Sequence, residues 1–110
     1  MRAKITEGLN IASAAKATVA ENAMAGTTDL KMGWTVPTAT TNVKSVDVSS
    51  TNGTITITYQ PAAKDVVLTL TPLSANVALA GGTIPSDAIT WTCKVDTAAN
   101  SKYVPANCRI

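Results

Sequence analysis

Histidine is absent from all 110 residues, which removes the commonest general base and the commonest metal ligand together. The seven carboxylates and two cysteines are scattered. That scatter builds neither a Cys/His zinc site nor an Asp-x-Asp-x-Asp-Gly calcium loop. A hydrolase would need an activated Ser or Thr with a lysine base such as Lys64 or Lys94, so the chain reads as a non-enzyme with no cofactor and no metal. Phenylalanine is also missing, glutamine occurs once, and only four aromatic residues are present. A carbohydrate-binding module with a concave aromatic face would have little to build on. No apolar run approaches the ~20 residues that cross a bilayer, and Met1-Arg2-Ala3-Lys4 leads into a helical pattern without the apolar core of a signal peptide. If the protein is exported, its export segment has been removed.

The residues present describe a chain that folds. Apolar residues make up 45% and the net charge is only +2, whereas disordered segments combine low hydrophobicity with high charge. One domain over 1–110 fits that length. Neither sign of charge forms a run, so nucleic acid and anionic membrane are not indicated as dedicated partners. Threonine and alanine occur eighteen times each, giving a hydroxyl-rich surface that suits an extracellular setting. The single Asn-x-Thr match, Asn52-Gly53-Thr54, falls in a turn and carries little weight.

The residues from Arg2 to about Ala25 lack proline and are rich in alanine, the strongest helix former. Ile5, Leu9, Ala12, Val19 and Ala23 fall along one stripe, flanked by Ile11 and Ala15. So narrow and small a stripe predicts close packing on something flat, such as a sheet. Gly26 is the expected C-cap. Thr27 to Asn42, with Gly33, Trp34 and Pro37, shows no period and reads as a long connecting loop of the kind that carries interactions.

The period then changes from 3.6 to 2. Val46 and Val48 share one face of a first strand, and Asn52-Gly53 predicts a tight hairpin turn. Ile55, Ile57 and Tyr59 alternate with Thr54, Thr56 and Thr58 in a second strand. Val66, Leu68 and Leu70 face inward in a third, which Pro72 is expected to close. A loop from Leu73 to Asp87 precedes a fourth strand with Ile89, Trp91 and Cys93 on one parity. Short connections imply an antiparallel meander. The expected fold class is therefore α+β, an N-terminal α-helix packed on a four-stranded antiparallel β-meander. Trp91 and Tyr59 read as core by parity, while Trp34 is open between burial under its loop and exposure at an interface.

Cys93 ends the last strand and Cys108 lies near the C-terminus, an even pair that permits one disulfide. A bridge would close a loop worth about 3 kcal/mol on the chain-entropy account. Within it Asp96-Thr97-Ala98-Ala99-Asn100-Ser101 is turn-prone and Lys102-Tyr103-Val104-Pro105 reads as extended.

The order of helix, irregular segment, meander and a C-terminal Trp91-Thr92-Cys93 followed by Lys102-Tyr103-Val104-Pro105-Ala106-Asn107-Cys108 resembles the major type IV pilins of the type IVa subclass. Ala3 to Asn10 looks like the place where the long helix of such a pilin begins to pack on its head. The resemblance divides the chain into helix (1–25), αβ-loop (26–42), β-meander (43–94) and disulfide loop (93–108). It implies a structural subunit of a bacterial pilus, a homo-oligomeric filament handled by pilus assembly machinery and serving adhesion, twitching motility, biofilm formation and DNA uptake. It places the subunit in the inner membrane before assembly and on an extracellular filament afterwards. Membrane contact would run only through a hydrophobic N-terminal half-helix that the sequence lacks; on this reading Met1 is an introduced start. The resemblance makes Asp96, Thr97, Asn100, Ser101, Lys102, Tyr103, Val104 and Pro105 a candidate receptor-binding loop for host glycans or abiotic surfaces. Ile5, Leu9, Ala12, Trp34 and Pro37 are candidate subunit-interface residues. Lys94 and Lys102 would attract DNA only weakly. A minor pilin or a type II secretion pseudopilin, many of which use calcium where the disulfide stands, is the alternative within the same logic.

Overall fold

A computed structural model describes residues 2–110, with side chains from residue 3 onward. Helix α1 runs Arg2–Met24 and lies across the β1 and β2 side of one antiparallel sheet. The sheet consists of β1 (Val43–Val48), β2 (Ile55–Tyr59), β3 (Val67–Ser74), β4 (Val77–Ala78) and β5 (Ile89–Val95). β1 pairs with β2 and β2 with β3, while β5 runs along the other edge of β3. The short β4 returns onto β3 at Leu73 and Ser74, beyond the end of β2. The α+β architecture expected from the sequence is present, with one additional short strand.

The stripe of α1 that meets the sheet is Ile5, Gly8, Ala12, Ala15, Val19 and Ala23. Gly8 takes the place expected for Leu9, which is half-buried at the margin. A Cβ on Gly8 would stand 2.6 Å from Tyr59 Cζ and 2.8 Å from Ile57 Cγ2. The missing side chain therefore lets the Tyr59 ring lie against the helix backbone, and its hydroxyl donates to the Ile5 carbonyl. Burial, with the nearby Glu7 charge adding to it, pushes the Tyr59 phenol well above its usual range. The other face of the sheet carries threonine, as strand alternation requires.

Two features differ from the sequence expectation. The β1–β2 connection is a four-residue loop, 50–53, closed by Ser49 N–H to Thr54 O at 2.8 Å. Asn52 Oδ1 accepts from Thr54 N–H, and Gly53 at φ +75° occupies the left-handed position. A side chain there would collide with Val19. Pro72 does not end β3. Tyr59 N–H donates to Val66 O and Asp96 N–H to Val67 O, so even-numbered residues of β3 address the β2 and β4 edge and odd-numbered residues address β5. Pro72 is even, and its missing donor falls in the gap between the last β2 partner at Leu70 and the first β4 partner at Leu73, a place where a sheet tolerates proline.

The segment between α1 and β1 is irregular, but it contributes to the core. Leu30 is fully buried and its N–H donates to Ser50 O. Asn22 on the helix donates to the Leu30 and Met32 carbonyls at 3.0 and 2.9 Å. At its far end Thr40 Oγ1 donates to Glu7 Oε2 at 2.6 Å and accepts from Val43 N–H.

Candidate functional site: the disulfide loop and the exposed faces

Cys93 and Cys108 are joined, with Cα atoms 4.6 Å apart. Cys93 shares the inward parity of β5 with Val95, and both are buried. α1 covers the β1 and β2 side, so the C-terminal segment covers the β5 side. Its internal structure is two 3₁₀ turns, Ala98–Tyr103 and Ala106–Cys108. This corrects the extended conformation expected for Lys102 and Tyr103.

Four contacts brace the loop. Ser101 Oγ accepts from Ile110 N–H at 3.2 Å and donates to its carbonyl. Arg109 Nε donates to Val104 O at 3.2 Å, and Asn100 donates to the Asp96 carboxylate at 3.2 Å. The Lys102 ammonium lies 5.3 Å from the centre of the Tyr103 ring, within cation–π range. Short, mutually bonded turns of this kind hold a surface in one conformation and lower the ordering cost of any contact made there.

The candidate receptor residues do not all face outward. Asp96, Thr97 and Lys102 are exposed, and Asn100, Ser101, Tyr103 and Pro105 are partly so. Val104 is fully buried; it anchors the loop on the sheet and cannot touch a receptor.

The candidate interface set divides in the same way. Ile5 and Ala12 are fully buried within this chain's own core, which corrects their assignment to a subunit interface: the periodicity that marked them is the periodicity of the helix–sheet contact. Leu9, Trp34 and Pro37 keep partial exposure. Trp34 Nε1 donates to Val46 O at 3.0 Å, so its indole rests on the outer edge of β1. Nearby, Lys31 and Asp47 form an ion pair at 2.7 Å. The Lys31 hydrogen bond, together with the Val48 N–H, holds the Asp47 carboxyl below its ordinary value.

Trp91 is half-buried rather than core. Its ring faces the Lys16 ammonium at 5.7 Å from the centroid, and it lines an open groove with Ala20, Met24, Pro85 and Ile89. The helix does not extend over β5, and parity alone cannot show where a covering layer stops. Ser13-Ala14-Ala15-Lys16 has the Ser-x-x-Lys spacing, but Ser13 Oγ bonds to Leu9 O while Lys16 turns to Trp91. The two side chains do not make a nucleophile and base. Among the described residues no three Cys, Asp or Glu groups gather as a metal site.

No solved structure matches the chain. Residues 1–109 match the family described as pilin (bacterial filament). With a helix lying on an antiparallel sheet, a disulfide-closed C-terminal loop and a family match over nearly its whole length, the chain belongs to the pilin family.

Proposed function

We propose that this structural subunit of a bacterial filament is a major pilin of the type IVa kind and that its disulfide loop is the adhesive surface. The observation that carries the reading is the closed Cys93–Cys108 loop, braced by Ser101–Ile110 and Arg109–Val104, with Asp96, Thr97 and Lys102 presented outward. On this reading the filament serves surface adhesion, twitching motility and biofilm formation. Any DNA contact is weak, because Lys94 and Lys102 are few and salt would screen them. No helix among the described residues is long and apolar enough to cross a membrane. Inner-membrane anchoring before assembly is assigned to the hydrophobic half-helix that type IV pilins carry ahead of this region.

The test is genetic. Deleting the gene should remove surface filaments, and restoring it should return filaments, twitching and adhesion. Restoring it with Asp96→Ala, Thr97→Ala and Lys102→Ala together should return filaments and twitching while lowering adhesion to glycan-coated surfaces several-fold. Filaments that survive the deletion contradict the subunit reading, and unchanged adhesion contradicts the role of the loop.

A further inference from the structure

The two outer strands of the sheet are treated differently. Ser49 N–H points to β2, so the Val46 carbonyl of β1 points outward, where Trp34 takes it. Val48 N–H is likewise taken by the Asp47 carboxylate. The outer edge of β1 is thus covered by its own chain. On β5, Asp96 N–H donates to β3, so even-numbered residues face β3 and the N–H and C=O groups of Ile89, Trp91, Cys93 and Val95 face outward. Among the described residues no hydrogen bond from a turn, loop or side chain reaches these groups. Cys93 and Val95 have the disulfide loop packed against them, but Ile89 to Trp91 have no such cover. An open strand edge of this kind is a template for another strand. Directly beside it runs the groove of Ala20, Met24, Pro85, Ile89 and Trp91.

On the opposite side of the molecule, Thr35 to Ala39 is an irregular, largely exposed segment carried outside β1, with Val36 40% exposed. We propose that this segment of one copy adds as a strand to the open Ile89–Trp91 edge of the next copy. The inference rests on membership of a filament-forming family, and it names the contact between heads. With Pro37 turned away from β5, its missing N–H is not needed, and Val36 and Thr38 offer their backbone groups to Ile89 and Trp91. Alternation then sets the Val36 side chain on the groove side, against Trp91 and Met24. The two surfaces lie at opposite edges of one sheet, so the contact is head-to-tail. A contact of this kind builds an open filament when its rotation does not close.

The experiment uses filaments on cells that assemble this subunit. A Val36→Cys, Ala88→Cys variant, sheared from the surface and treated with a short thiol-reactive bis-maleimide, should run as a ladder of covalent multimers. Neither single variant, nor a Val36→Cys, Thr56→Cys pair, should do so. A ladder from the Thr56 pair with none from the Ala88 pair overturns the inference. So does a dimer from Ala88→Cys alone, since that places two β5 edges against each other. These results leave the filament itself intact, so they are distinct from failure of the subunit reading, in which no filament contains the chain. If the cysteine variants assemble no filaments, the unaltered 110-residue chain is titrated with a peptide of residues 33–41 and followed by amide NMR. Shifts confined to Ala20, Met24 and Ile89–Trp91 support the contact, and no shifts at millimolar peptide overturn it.

Discussion

The two halves of the sheet are held by different physics. Beneath α1, β1 and β2 are stabilised by burial: Ile5, Ala12 and Val19 meet Val46, Ile55, Ile57 and Tyr59 with no exposed surface, and the fit depends on Gly8 having no side chain. On the β5 side no helix covers the sheet. A covalent bridge and a braced loop take its place, while Trp91 stays half-open and the Ile89 to Trp91 stretch of the β5 edge has no loop over it. In the densely packed half the exposed surface is carried by the irregular segment outside β1, not by the helix–sheet contact. The half held by a disulfide keeps apolar side chains and backbone groups available at Ile89 to Trp91.

The largest expected effect is at the bridge. Cys93→Ser with Cys108→Ser should lower stability by about 3 kcal/mol. Hydrogen exchange should show protection lost across β5 and residues 98–110 while α1 and β2 keep theirs, and protease should then remove the tail. Equal loss in both halves would mean that they form one cooperative unit.

Next comes the notch under Tyr59. Gly8→Ala should cost about 2 kcal/mol by overpacking, read from urea denaturation. Tyr59→Phe in the same chain should recover part of that, because the phenol oxygen is the atom a Cβ would first meet.

Tyr59→Phe alone should cost about 1 kcal/mol through the lost bond to Ile5. It also has a pH signature. The folded phenol titrates above its unfolded value near 10, so its contribution is complete below that pH and is lost as pH rises beyond it. The parent should weaken above about pH 10, and the Phe variant should weaken less over the same range.

The smallest expected effect is at the rim. Asp47 is held low by Lys31, so its contribution is present above the ordinary carboxylate value and is lost as pH falls through the folded one. Both partners are exposed, and Asp47→Asn should change stability by less than about 0.5 kcal/mol while flattening the limb below pH 4.

Much of this was legible in the residues. Alternation in Thr54 to Tyr59 and alanine spacing in α1 carry strong periodic signals, and both elements are where the pattern puts them. Gly8 was missed because a glycine contributes nothing to a hydrophobic period, although Tyr59 and Ile57 pack where its side chain would stand. Pro72 misled because its cost depends on which edge its nitrogen faces, a property of strand pairing and not of sequence. Leu30 was missed because irregular segments have no period to read. Val104 shows the same limit at the candidate site: composition cannot tell a loop's anchor from its exposed tip. The division of Ile5 and Ala12 from Leu9 and Trp34 is likewise settled only by where the sheet lies.

Membership of the pilin family makes this chain a filament subunit, and the proposed adhesive role requires the cysteine loop to lie on the filament's outer surface. Cryo-electron microscopy of filaments sheared from cells that carry the gene tests it most directly. The expected result is one such head per asymmetric unit of the helix, with the disulfide-closed loop of Cys93 and Cys108 on the outer surface. A filament whose lattice does not accommodate this head, or one that mass spectrometry shows to lack this chain, would contradict it.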